Sequence, residues 1–322
     1  MPNNSIDTSK VTFVTVTEAN DDQRIDNFLL SVLRGVPKPL IYRIVRKGEV
    51  RVNKGRVKAD SRVHVGDVVR IPPIRLPEKK PLPEITSVLE KSLSDSILYE
   101  DEGLIAVNKP HGLAVHGGSG IILGLIEGLR KMRPSHEYLE LVHRLDRDTS
   151  GIILVAKKRS VLTALQRMLV NQKGIRKRYL ALVHGHWPHN IKRVTEPLLK
   201  VELATGDRIV IVDEAGKESL TRVQLLNKGS HYSLIEAEPI TGRTHQIRVH
   251  CQSQGYSIAG DEKYCDDVQK NIDSKHKIAR LCLHAHQLSF RHPVSGEQLI
   301  LTAPLEKEFL NIIEKVGCDA AL

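Results

Sequence analysis

Five prolines fall between Pro72 and Pro83, in the run Pro-Pro-Ile-Arg-Leu-Pro-Glu-Lys-Lys-Pro-Leu-Pro. Each proline lacks a backbone N–H and locks φ, so neither a helix nor a central strand runs through such a segment. A semi-stiff, extended linker is what this composition gives. It divides the chain into a domain at residues 1–71, a linker at 72–86 and a larger domain at 87–322. A chain of 322 residues suits two domains and can bury a sizeable core.

Composition then removes whole classes. Met1 to Lys10 is polar and lacks the apolar core of a signal peptide. No apolar run approaches the roughly 18 residues of a membrane helix. Cys251, Cys265, Cys282 and Cys318 are scattered without Cys-x-x-Cys spacing, so reduced cytosolic thiols are expected rather than a disulfide framework. A cytoplasmic protein without membrane contact follows, with monomer as the default state. Lys and Arg number 48 against 38 Asp and Glu, a net charge of +10. That excess favours a polyanionic partner such as RNA.

In the first domain, Val11 to Thr17 reads as a strand. Ile25, Phe28, Leu29, Val32 and Leu33 recur at helical spacing. A second helix follows Pro37 and Pro39, with Leu40, Ile41, Ile44 and Val45 as its apolar face and Gly48 as its stop. Arg43, Arg46 and Lys47 share another face of it. Strands Val50 to Val52 and Val63 to Ile71 follow, with turns at Asn53-Lys54-Gly55 and Gly66-Asp67. Two helices, a hairpin and Gly48-Glu49-Val50-Arg51-Val52-Asn53 resemble an S4 (αL-like) RNA-binding domain. The resemblance implies that Arg43, Arg46 and Lys47 lie on the phosphate backbone of structured RNA.

In the second domain, short strands at Ile97 to Tyr99, Leu104 to Val107, Ile152 to Ala156, Tyr179 to Val183 and Leu281 to Phe290 alternate with hairpins and helices. Thr221 to Leu226 and Tyr232 to Glu238 form one hairpin. Ser160 is expected to cap a helix running to about Gln172. Another helix is expected to begin near Thr244 beside Arg243, and the last carries Leu305, Phe309, Ile312 and Ile313 inward. His116-Gly117-Gly118-Ser119-Gly120 lacks the context of a phosphate-binding loop and reads as a flexible loop. The pattern is α+β, with a mixed, largely antiparallel sheet and flanking helices.

Before the Ile152 strand stands His143-Arg144-Leu145-Asp146-Arg147-Asp148-Thr149-Ser150-Gly151. Asp146 sits between two arginines, which would keep a carboxylate ionised and oriented. Spacing alone leaves a catalytic acid and a salt-bridged loop open. His-Arg-Leu-Asp, two residues, then Thr-Ser-Gly is similar to the signature of the RluA family of pseudouridine synthases. Asn108-Lys109-Pro110-His111-Gly112-Leu113, Arg178 to Val183, Thr241 to Arg248 and Leu283-His284-Ala285 with His292-Pro293 resemble further family segments. Cys265 departs from a more frequent glycine after Tyr264.

The resemblance implies the pseudouridine synthase fold and a reaction that needs neither cofactor nor metal. It makes Asp146 the catalytic residue, Arg243 its buried ionic partner and Tyr179 the face against the uracil. Arg144 would fill the space a flipped uridine leaves, His143 would orient the loop, and Lys109 would belong to the RNA-contacting set. Asp148 is expected to bridge a neighbouring arginine. Length, S4 module and motif wording are closest to the branch that modifies several uridines of bacterial 23S ribosomal RNA, alone or in a pre-ribosomal particle. A sister branch with the same architecture modifies other 23S sites.

Rival readings are a glycoside hydrolase, a metal enzyme and a non-catalytic RNA-binding assembly factor. The first needs two opposed carboxylates, and Asp146 and Asp148 are too close in sequence to flank a bond. The second would use Cys282, His284 and His286, which alternate on one strand but lack a fourth ligand at readable spacing. Intact Asp146, Tyr179 and Arg243 segments speak against the third.

Overall fold

The structure, a computed structural model, describes residues 10–33, 36–74, 85–117, 123–136, 138–203 and 206–318. It divides into two compact units, residues 1–81 and 82–322.

In the first unit, strands Thr12–Thr15, Val68–Ile71, Arg51–Val52 and Gly55–Arg56 lie side by side in that order, each pair antiparallel. Val14, Val52, Val69 and Ile71 face a core that also takes Ile25, Phe28 and Leu29 from helix Ile25–Val32 and Ile41, Ile44 and Val45 from helix Lys38–Arg46. The second helix starts on the extended Pro37 with Pro39 in its first turn, where a missing N–H costs nothing. Arg43, Arg46 and the following Lys47 are all exposed, so the sequence-read basic face exists. Ile74 is still buried in this core, three residues past the expected boundary at 71. The proline segment at 75–84 and the loop at 118–120 lie outside the described residues.

The second unit is built on a ten-stranded sheet. Its order is Arg193–Val194, Thr221–Lys228, Tyr232–Pro239, Ile175–His184, Leu283–Arg291, Ser150–Ala156, Leu104–Lys109 and Ile97–Glu100. Gln298–Thr302 and Glu140–Leu141 pair alongside it. Every pairing is antiparallel except that of Ser150–Ala156 with Leu283–Arg291, so the α+β expectation holds. That parallel contact brings Gly151 opposite Ala285. Gly151 has φ +106°, and a Cβ there would sit 2.3 Å from the Ala285 carbonyl oxygen, so only glycine fits the crossing.

Strand Ser150–Ala156 is buried along its whole length, which is why it reads as an unbroken apolar run. Ile153 and Val155 face one core with Leu93 and with Leu125, Ile126 and Leu129 of helix Leu125–Met132. Ile152, Leu154 and Ala156 face the other, with Val161 and Leu165 of helix Arg159–Asn171. A third core gathers Trp187, Tyr232 and Phe309.

Some boundaries differ from expectation. Helix Arg159–Asn171 begins one residue before Ser160, straight after the extended Lys158, so Ser160 lies inside its first turn and caps nothing. The helix expected near Thr244 begins at Gln246 because His245 takes a left-handed conformation, φ +52°. Helix Asp267–Lys275 was not legible, since the only residue it fully buries is Asp273. Among the described residues no helix is long and apolar enough to cross a membrane.

Candidate active site

The loop from Leu141 to Ser150 is held from several sides. Leu145 is buried in the core that Tyr179 also packs against. The amide of Thr149 donates to the Asp146 carbonyl at 3.2 Å, closing a turn on the aspartate. The Leu154 amide donates to His143 Nε2 at 3.3 Å. Burial drives the His143 imidazole down to about 4, with Lys177 adding to the shift, so it serves as a neutral acceptor. Its role is to tie the loop to the central strand.

Lys109 does not reach the surface. It is fully buried, and Nζ donates to the carbonyls of Arg147 at 2.8 Å, Leu113 at 2.8 Å and Pro110 at 3.0 Å. Burial pulls its ammonium down to about 7, against the opposing pull of Glu306, Asp148 and Asp146. The expectation of a substrate contact is therefore corrected. A lysine that laces three backbone carbonyls together pins the segment after it to the loop that carries Asp146.

The expected partner of Asp146 is also corrected. Arg243 is exposed and its Nε donates to the Glu218 carbonyl at 3.1 Å. The guanidinium beside Asp146 belongs to Arg248, five residues on, with Nη1 3.4 Å from Oδ2. The reason is the left-handed His245, which delays the helix and turns Arg248 inward. Arg248 is buried and clamped by Asp261, Nε to Oδ2 at 2.7 Å and Nη2 to Oδ1 at 2.8 Å. Its guanidinium also lies 5.0 Å from the Tyr264 ring centroid. These contacts hold it charged despite burial, well above the ordinary arginine range.

His245 Nε2 stands 3.8 Å from Asp146 Oδ2, and its Nδ1 is 2.7 Å from the Tyr264 hydroxyl. That hydroxyl in turn accepts from the Val210 amide at 3.1 Å. Burial lowers the His245 pKa, and the Asp146 charge works against that shift. Asp148 pairs with Arg147, Nε to Oδ1 at 2.9 Å, as a loop bridge.

Arg144, Asp146, Lys177, Tyr179, Arg243 and His245 line one open cleft of about 620 Å³. Tyr179 is pushed far above the ordinary phenol range, first by burial and then by the Asp146 charge, so its hydroxyl keeps its proton. Burial lowers the Lys177 ammonium. Among the described residues neither Arg144 nor Lys177 has a carboxylate within salt-bridge distance. The cleft is a partly exposed carboxylate in basic surroundings, with an aromatic face nearby.

No such openness marks the other donor clusters. His284 Nδ1 is 2.8 Å from Ser150 Oγ, and Nε2 is 3.3 Å from the Ala303 carbonyl. His184, Cys265 and Asp273 lie close together. Asp273 is committed to the Tyr232 hydroxyl, the Gly260 amide and His184, and burial pushes the Cys265 thiol up to about 12.

The largely antiparallel sheet and this cleft are those of an RNA-modifying isomerase. The chain belongs to the RNA pseudouridylate synthase family, matched over residues 103–253, and it carries an S4 domain at 23–69. The "Ribosomal large subunit pseudouridine synthase C" of Haemophilus ducreyi is 52% identical over 316 residues, 97% of each chain. The protein of that name in Escherichia coli K12 is 48% identical, covering 96% of this chain and 98% of the other. Among solved structures, human RNA pseudouridylate synthase domain containing 4 matches 71% of this chain and 95% of its own, with TM-score 0.58 and 29% identity.

Proposed function

We propose that this pseudouridine synthase isomerises specific uridines of bacterial 23S ribosomal RNA in the cytoplasm, with Asp146 as the catalytic residue. The reaction breaks the N1–C1′ bond, turns the uracil and rejoins it through C5; the C5 proton is lost and the freed N1 takes one up. It is redox-neutral and balanced without a co-reactant. The observation that carries the reading is the Asp146 carboxylate, open to the cleft and 3.4 Å from a guanidinium that Asp261 holds in place. Attack on C1′ and removal of a ribose proton both use the carboxylate oxygen that Arg248 faces.

A uridine inside folded RNA must leave its stack to reach that depth. Arg144 is exposed at the cleft and suited to fill the vacated space. Tyr179 offers its ring to the uracil face. With its proton firmly held, it stacks rather than acting as the base in the free enzyme. Arg43, Arg46 and Lys47 supply backbone affinity from the S4 domain. The two relatives, both ribosomal large subunit pseudouridine synthases matched along nearly their whole length, support the large-subunit substrate.

Pseudouridine mapping of 23S ribosomal RNA tests this in cells with the wild-type protein, with none, and with Asp146→Asn. We expect the same uridines to lose modification in the last two. An unchanged map in cells lacking the protein would remove the substrate, and retained modification with Asp146→Asn would remove the residue.

A further inference from the structure

The four-stranded sheet of the S4 domain has an outer face as well as the inner one that meets the helices. Strand register places Phe13 opposite Arg70, Arg70 opposite Arg51, and Arg51 opposite Arg56. Directly paired residues point the same way, so one cross-strand row reads Phe13, Arg70, Arg51, Arg56. Their neighbours Val14, Val52 and Val69 point inward. Phe13 is 64% exposed, high for the bulkiest side chain on this face. Lys54 and Val68 join Phe13, Arg51 and Arg70 around one shallow concavity.

Three guanidiniums in direct cross-strand register repel one another. Among the described residues none has a carboxylate within salt-bridge distance; Arg70 donates only to the Glu49 carbonyl at 2.7 Å. At the far end, a Cβ on Gly48 would lie 2.8 Å from Arg56 Nε, so the absence of a side chain there lets Arg56 lie across the turn that follows Lys47. The row is thus continuous with the basic end of helix Lys38–Arg46.

We propose that this face is a second RNA subsite, taking a single-stranded segment whose base stacks on Phe13 while its phosphates lie along Arg70, Arg51 and Arg56. A polyanion removes the repulsion that the row otherwise carries. An exposed ring beside guanidiniums provides the π-surface that unpaired bases use and paired ones cannot. On the helix face the exposed ring, Tyr42, is tied through its hydroxyl to Asp26 at 3.0 Å, whereas Phe13 carries no polar tether. The subsite lies outside the catalytic cleft and does not depend on the identity of the modified uridine.

The test uses the full chain and two probes, a single-stranded oligouridylate of about ten nucleotides and a perfectly paired RNA hairpin of equal length. Phe13→Ala is expected to weaken oligouridylate binding by roughly 5- to 100-fold, the worth of one stacked base, with little effect on the hairpin. Arg51→Gln combined with Arg70→Gln weakens both probes and lowers the salt dependence. Phe13→Tyr keeps the ring and restores affinity, which separates stacking from a folding defect. Unchanged oligouridylate affinity in Phe13→Ala overturns the proposal, as does equal weakening of both probes. Loss of binding to ribosomal particles with both RNA affinities intact would assign the face to a protein contact instead.

Discussion

A guanidinium that touches two carboxylates must divide itself between them, and in Arg248 the division is unequal. The fork goes to Asp261, whose side chain is fully buried, and a single nitrogen is left facing Asp146. Asp261 is thus the anchor and Asp146 remains free to act. Lysine at position 248 would keep the charge but lose the fork. Arg248→Lys is expected to lower the single-turnover rate on an rRNA fragment by about 100-fold or more, as loss of an oriented electrostatic group does. Arg243→Gln should mainly weaken binding, because that side chain lies at the cleft surface. Full rate in Arg248→Lys with loss in Arg243→Gln would reverse the two roles. The motif Thr241 to Arg248 was legible in the sequence as a unit, but which of its arginines turns inward was not. That depends on one left-handed residue, His245, and a non-glycine residue gives no local sign that it will adopt φ +52°. Lys109 misled for a related reason: charged residues are read as solvent-facing, and only the three carbonyls converging on Nζ reveal a buried use.

The central strand Ser150–Ala156 is tied at two points by imidazoles. His143 accepts from the Leu154 amide, and His284 meets the Ser150 hydroxyl. Burial drives both rings down to about 4. In the unfolded chain each would titrate near 6.5, so the unfolded state binds more protons between those values and stability rises with pH there. Their contribution is complete above pH 6.5 and is lost as pH falls toward 4, by about 3 kcal/mol for each ring. Urea unfolding should show this as a falling midpoint between pH 6.5 and 5, above the range where most carboxylates protonate. His284→Gln should flatten the slope, and a midpoint constant over that window would mean that the rings are not held neutral. The strand itself was readable from its unbroken apolar run. Its partner across the parallel contact was not, since register between residues 150 and 284 is a tertiary fact. Helices were legible where an apolar stripe marks them, as in Lys38–Arg46. They were missed where burial falls on a polar residue, as with Asp273 in Asp267–Lys275.

Charge is unevenly shared along the whole chain. Residues 1–74 carry thirteen Lys and Arg against eight Asp and Glu, half of the net +10 in under a quarter of the length. The catalytic unit meanwhile spends many of its cations internally, as Arg133 does with Glu100 and Arg176 with Glu238. Affinity and chemistry are therefore expected to separate between the two units. Each phosphate neutralised by a protein cation contributes about 0.9 to the fall of log affinity with log salt. Replacing Arg43, Arg46 and Lys47 together by glutamine should flatten that dependence by roughly 2 to 3 and weaken binding to rRNA at low salt most. The single-turnover rate at saturating RNA should not change, because none of the three lines the cleft around Asp146. A salt slope unchanged by the triple substitution would mean that the helix face does not meet the backbone. A lost rate at saturation would mean that the S4 domain also positions the target uridine, which coupling of the two units through the RNA would produce.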